Sequence, residues 1–169
     1  MDTGIGHTNL DFCLSNDKAI IGIVSKFTEM LKSKSPNHEN DLQKYINRKE
    51  LEYLPNGFDK LIEYYINLNE KLFLDISQLI ELSIGLLKNM NNRQARLLYI
   101  YWAPLNYHKI EIYEKHFSEI ESFKSKISNF LSFRSISYDK FWSFYQDDKN
   151  FQAQITNLKN IYNLELQAV

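Results

Sequence analysis

Residues 58–90 most constrain what this chain can fold into. They contain no proline and set Phe58, Leu61, Ile62, Tyr65, Leu68, Leu72, Phe73, Ile76, Leu79, Ile80, Leu86, Leu87 and Met90 near helical spacing. Ile66, Leu74, Leu82 and Ile84 then fill much of what would be the polar side. A helix that is apolar nearly all round must be covered from several directions. The stretch therefore predicts an all-α fold, a single compact bundle of six or seven helices packed around a central element at 58–90. That element is one helix or two joined near residues 67–69, where two asparagines each disfavour a helix interior by only about half a kcal/mol.

Length and composition agree with a single domain. At 169 residues the chain is long enough to bury roughly two thirds of its unfolded surface. Five glycines and three prolines are few, so tight turns are scarce and a loop-rich sandwich or barrel is not expected. Twenty Lys and Arg against 21 Asp and Glu give a net charge of -1, which supplies no global field toward nucleic acid or an anionic membrane. The lone Cys13 has no internal disulfide partner, and the N-terminal MDTGIGHTNLDF has neither a basic leader nor an apolar core. The expected compartment is a reducing cytoplasm. The most apolar run, 72–87, carries Asp75, Gln78 and Glu81 in its middle and reads as a core helix, not a membrane span. Abundant Asn, Lys, Ile, Tyr and Phe with sparse Ala, Gly, Pro and Arg point to an AT-rich, bacterial genome.

Taken in order, residues 1–15 show no period and read as a loosely held arm, with 16–169 forming the helical domain. Asn16 and Asp17 suit the cap of a helix in which Ile20, Val24, Phe27 and Leu31 recur, ending at the turn around Pro36. A weaker helix is expected over 39–53, stopped by Pro55, Asn56 and Gly57. Residues 93–103, RQARLLYIYWA, are rich enough in aromatic residues to suggest a strand, but no pairing partner is evident, and a helix is expected. Ile110, Tyr113, Phe117, Ile120, Ile127 and Leu131 mark the most regular helix, with Glu111, Lys115, Glu119, Glu121 and Lys126 on its solvated side. Ser135, Ile136 and Ser137 punctuate. Short and long helices follow over 138–145 and 150–167, and no repeat of fixed period is present.

Motifs that would specify a reaction are absent. His108 and His116 lie eight residues apart, roughly 12 Å along a helix, too far to share one ion. His7 and His38 have no metal-ligand spacing around them, and neither HExxH nor a cysteine cluster occurs. Neither GxSxG nor a phosphate-binding glycine loop can be written, and nothing beside Cys13 would activate its thiol. No cofactor or metal is expected. Lys88, Arg93 and Arg96 beside Tyr99 and Trp102 form a small basic cluster, too small to make nucleic acid an expected partner.

The most informative local feature is SYDKFWSFYQDD, 137–148. Tyr138, Phe141, Trp142 and Tyr145 share one helical face, with Asp139, Asp147 and Asp148 around them. Amphipathic aromatics are favoured interface anchors, and an acidic rim suits a basic partner. The same stripe also reads as core packing at the end of a bundle, which is what aromatic stripes at helical spacing usually are. These residues define the expected partner-binding site, and a homodimer through this helix would use the same groups. The reading that follows is a non-enzymatic intracellular protein-binding module, most specifically a bacterial inhibitor of the immunity or antitoxin kind covering a basic nuclease toxin. The alternative is a helical enzyme or nucleic-acid-acting domain whose site is assembled from the dispersed His108, His116, Glu111, Arg93 and Arg96.

Overall fold

A computed structural model describes residues 1–3, 9–37 and 41–166. It overturns the all-α bundle, because the chain builds a mixed four-stranded sheet with five α-helices. The strands are β1 (Phe12–Ser15), β2 (Ala19–Lys26), β3 (Gln94–Tyr101) and β4 (Ser132–Ser137), in that spatial order. β1 pairs antiparallel with β2, whereas β2, β3 and β4 are mutually parallel. The helices are α1 (Phe58–Ile66), α2 (Ile76–Asn89), α3 (Glu111–Ile127), α4 (Tyr138–Ser143) and α5 (Gln152–Tyr162).

Three segments read as helix or punctuation are strands. The run AIIGIV in β2 is apolar without a break and three of its residues are isoleucine, so β-branched packing on a pleated surface outweighs the four-residue recurrence of Ile20 and Val24. β3 is the strand for which no partner was evident, and it lies between β2 and β4. In β4, SFRSIS alternates as a strand requires: Phe133 is buried between exposed Ser132 and Arg134. The weak helix over 39–53 is replaced, among its described residues, by short 3₁₀ turns at Gln43–Tyr45 and Lys49–Leu51.

The 58–90 stretch is two helices separated by a loop. Asp75 caps α2 by accepting from the Gln78 backbone N–H at 3.2 Å. One carboxylate oxygen of Glu119, on α3, accepts from the backbone N–H groups of Phe73 and Leu74 at 2.9 and 2.8 Å, which pins the connecting loop. Burial raises the Glu119 carboxyl above its ordinary range, although those two N–H donors pull the other way. Ten residues of α2 are buried, so this helix does have the all-round cover its apolarity requires.

Chain topology then decides where the helices lie. β2 reaches β3 through α1 and α2, and β3 reaches β4 through α3. Parallel crossovers are right-handed, and both steps move in the same direction across the sheet, so both connections pack on one face. Ile20 and Val24 of β2, Ala95, Leu97 and Tyr99 of β3 and Phe133 of β4 join the core on that side. Gly22 belongs to the same face: a Cβ there would stand 2.9 Å from Leu10 Cδ2 and 3.0 Å from Leu86 Cδ1. Among the described residues no helix is long and apolar enough to cross a membrane.

Candidate functional site

The opposite face of the sheet follows from strand alternation and register. It carries Leu14, Ile21, Arg96 and Ser132 in one row, Phe12, Ile23, Leu98 and Arg134 in the next, and Ser25, Ile100 and Ile136 in a third. Continuing past the strand ends, the next positions are Phe27, Trp102 and Tyr138. The first two rows and the last have different fates.

At the carboxyl ends of the strands the face is closed by aromatics. Phe27 stacks on Trp102 with ring centroids 5.7 Å apart and an interplanar angle of 9°. Its ring also meets those of Tyr138 at 5.5 Å and Tyr162 at 4.7 Å. Trp142, on α4, packs against Tyr138 and Tyr162, and the Trp102 indole N–H donates to the Tyr162 carbonyl at 2.8 Å. The crevice at the carboxyl ends is where open α/β sheets usually hold a ligand. Here the chain's own aromatic side chains occupy the part on this face, and a hollow of about 240 Å³ remains at the ends of β3 and β4, bordered by Tyr101, Pro104, Ser137 and Asp139.

At the amino-terminal half the face is open. Phe12 is 67% exposed and Leu14 57% exposed, while Ile21, Ile23 and Leu98 are half-buried. A shallow hollow of about 370 Å³ is bordered by Ile21, Leu98, Gln94, Ser132, Arg96 and Arg134. Arg96 donates to the Gln94 side-chain carbonyl at 2.7 Å. Among the described residues neither Arg96 nor Arg134 has a carboxylate partner, although six ion pairs form elsewhere on the surface.

The aromatic-acidic segment divides between core and surface. Trp142 is buried, and Tyr138 and Phe141 are half-buried. Tyr145 is exposed and meets Phe141 and Phe151 edge-on. Phe144, on the outer side of the turn, is the most exposed ring there at 67%. Asp139 pairs with Lys159 at 3.6 Å; Asp148 accepts from the Asn150 backbone N–H at 2.9 Å, and Asp147 is exposed.

The dispersed His, Glu and Arg residues take separate local roles. Arg93 binds the carbonyls of Asn89 and Met90 at the end of α2, Lys88 pairs with Asp2, and Glu111 pairs with Lys115. Tyr99 and Trp102, the aromatics that neighbour the small basic cluster in sequence, are buried. His108 is exposed in a 3₁₀ turn before α3. His116 is buried against Tyr99, whose hydroxyl lies 3.0 Å from Nε2, while its Nδ1 and the Tyr113 hydroxyl have no partner among the described residues. Burial depresses the His116 pKa to about 4, so the ring is neutral at pH 7. His7 and His38 lie outside the described residues. Among the described residues no three His, Cys, Asp or Glu side chains are grouped to hold a metal ion.

Sequence reasoning passed over Phe12, Leu14, Ile21, Ile23, Leu98 and Arg134. The signal was alternation: FCL before Ser15, RLLYIY in β3 and SFRSIS in β4 each place every second side chain on one face. No protein-family model matches the chain, and neither a characterised protein nor a solved structure is detectably similar to it.

Proposed function

We propose that this chain is a non-catalytic protein-binding module that covers a partner with the open half of its sheet. One observation carries the reading: Phe12, Leu14, Ile21, Ile23 and Leu98 form a contiguous apolar area on the face its helices leave bare. Parallel sheets are normally covered on both faces, so an uncovered half is a surface that a second molecule completes. The exposed thiol of Cys13 suits a reducing compartment, and we assign the module to the cytoplasm.

The inhibitor form of this reading, directed at a basic toxin domain, draws on a different observation. Phe144, Tyr145 and Phe151 are exposed beside Asp147 and Asp148, an aromatic surface with an acidic rim.

Tagged chain incubated with source-cell lysate separates the two. Leu98→Asp is expected to abolish capture of a stoichiometric, nuclease-resistant protein that Phe144→Ser still captures. The reverse pattern places the interface on the acidic turn. Capture indifferent to both substitutions defeats both surfaces.

A further inference from the structure

We infer that the occupant of the open sheet half is an acidic amphipathic α-helix of another protein, an inference that rests on the sheet-face reading above. Arg96 lies opposite Ser132 and Leu98 opposite Arg134, so the two arginines occupy diagonal positions on adjacent strands, where side chains leave the backbone roughly 7 Å apart. Like charges held this close, exposed and without a carboxylate among the described residues, raise the local potential. They stand at one side of the apolar rows, with Leu14 and Phe12 at the other. A complementary surface therefore has an apolar stripe bordered by carboxylates on one flank only. Aspartate or glutamate at every third or fourth position of a helix gives that flank, and the adjoining helical face gives the stripe. A helix about 10 Å wide covers two inter-strand spacings of about 4.8 Å, which matches the width from β1 to β3.

Charge disfavours the other occupants. A second copy docked by a two-fold axis would bring four arginines into one interface, and Asp11, a carboxylate that the described residues place at the edge of this face, is already held by the Ser25 backbone N–H and hydroxyl. Nucleic acid recruits several cations along one face, and two arginines beside an apolar area, on a chain of net charge -1, fall short of that.

The test uses the full chain and three synthetic helical peptides of about five turns. They share one leucine stripe and differ only in its flanking residues, which are glutamate, glutamine or lysine. Binding is followed by shifts of the amide and methyl resonances of Ile21, Ile23 and Leu98. The glutamate peptide is expected to move these resonances and to bind at least about tenfold more tightly than the lysine peptide, with the preference lost at high salt. The double variant Arg96→Glu and Arg134→Glu is expected to reverse the order of the two charged peptides, and Arg96→Gln with Arg134→Gln to abolish the difference. Equal binding of glutamate and lysine peptides overturns the acidic partner while leaving the sheet face as an interface. Absence of shifts at all three residues with every peptide, or the same shifts from a short single-stranded RNA, overturns it as well. Loss of lysate capture in Leu98→Asp speaks separately to the face itself.

Discussion

The two halves of the sheet's outer face share β2, β3 and β4 and have opposite fates. At the carboxyl ends, Phe27, Trp102 and Tyr138 are covered by Trp142 and Tyr162. A few residues back along the strands, Ile21, Ile23 and Leu98 have no such cover, and arginines replace the aromatics beside them. The contrast has a topological cause. Same-direction crossovers commit α1, α2 and α3 to one face, leaving only α4 and α5 to cover the other, and these pack at its carboxyl end. Residue choice matches: rings that pack on one another around the buried Trp102 and Trp142 at one end, and aliphatics, cations and the exposed Phe12 at the other.

Truncation gives the largest expected difference between the halves. Trp142→Ala empties the aromatic cap and should cost about 3–5 kcal/mol, the usual range for a buried aromatic. Leu98→Ala, removing a half-buried side chain, should cost under about 1 kcal/mol. Denaturant unfolding of both variants checks this. Equal losses would mean that the open half is as integrated into the fold as the cap.

Acid sensitivity should belong to the helix-covered side of the same strands and not to the open half. His116 titrates at about 4 when folded and near 6.5 when unfolded. Between those values the unfolded chain binds a proton that the folded chain refuses, so stability falls as pH drops from about 6.5 to about 4 and then levels. The total is about 3 kcal/mol. Glu119 works in the opposite direction, since its raised folded pKa favours folding as pH falls. The His116 contribution is therefore read as the difference between wild type and His116→Gln in chemical denaturation from pH 7 to 4. That difference should shift by about 3 kcal/mol in the variant's favour between about pH 6.5 and 4 and then level.

Much of the helical layer was legible in sequence because its period is dense and local. Residues 111–127 repeat over nearly five turns, and the apolar encirclement of α2 correctly implied burial on all sides. The sheet was hidden by a dependency between distant segments. Ile20, Val24 and Phe27 fit a helical period by coincidence, and reading β2 as a helix removed the partner that β3 needed to be recognised as a strand. β4 has only six residues, two of them apolar, and its three serines read as punctuation. The candidate surface suffered the same way. Arg96 and Arg134 are 38 positions apart in sequence and become neighbours only through strand register. The aromatic segment was legible as an element, but its division into a buried Trp142 and an exposed Phe144 follows from where the sheet stops.

A smaller effect separates adjacent residues of β2. Gly22→Ala pushes a methyl to within 2.9 Å of Leu10 Cδ2 and 3.0 Å of Leu86 Cδ1. Both are ends of flexible side chains, so the cost should be about 1 kcal/mol. Ile23→Thr, one residue along and facing the open half, should cost less, because the hydroxyl can reach water. Thermal unfolding of the pair resolves the difference, and a larger loss at Ile23 would indicate that its face is covered after all.

The smallest effect is the most specific to the open half. Arg96 and Arg134 sit on a diagonal and, among the described residues, neither pairs with a carboxylate, so each destabilises the fold slightly through the other. Arg134→Gln should raise stability by about 0.3 kcal/mol at low ionic strength, the scale of an exposed charge pair. The gain should vanish near 1 M salt, where the screening length is only about 3 Å. Arg96→Gln should do the same, and the double variant should gain no more than either alone, because removing one charge already ends the repulsion. A salt-independent loss in Arg134→Gln would instead mean that its methylene stem packs on Leu98 and contributes apolar cover. The gain without a partner, set beside reduced affinity for the glutamate-flanked helix, would show a charge kept at a small cost in stability because binding uses it.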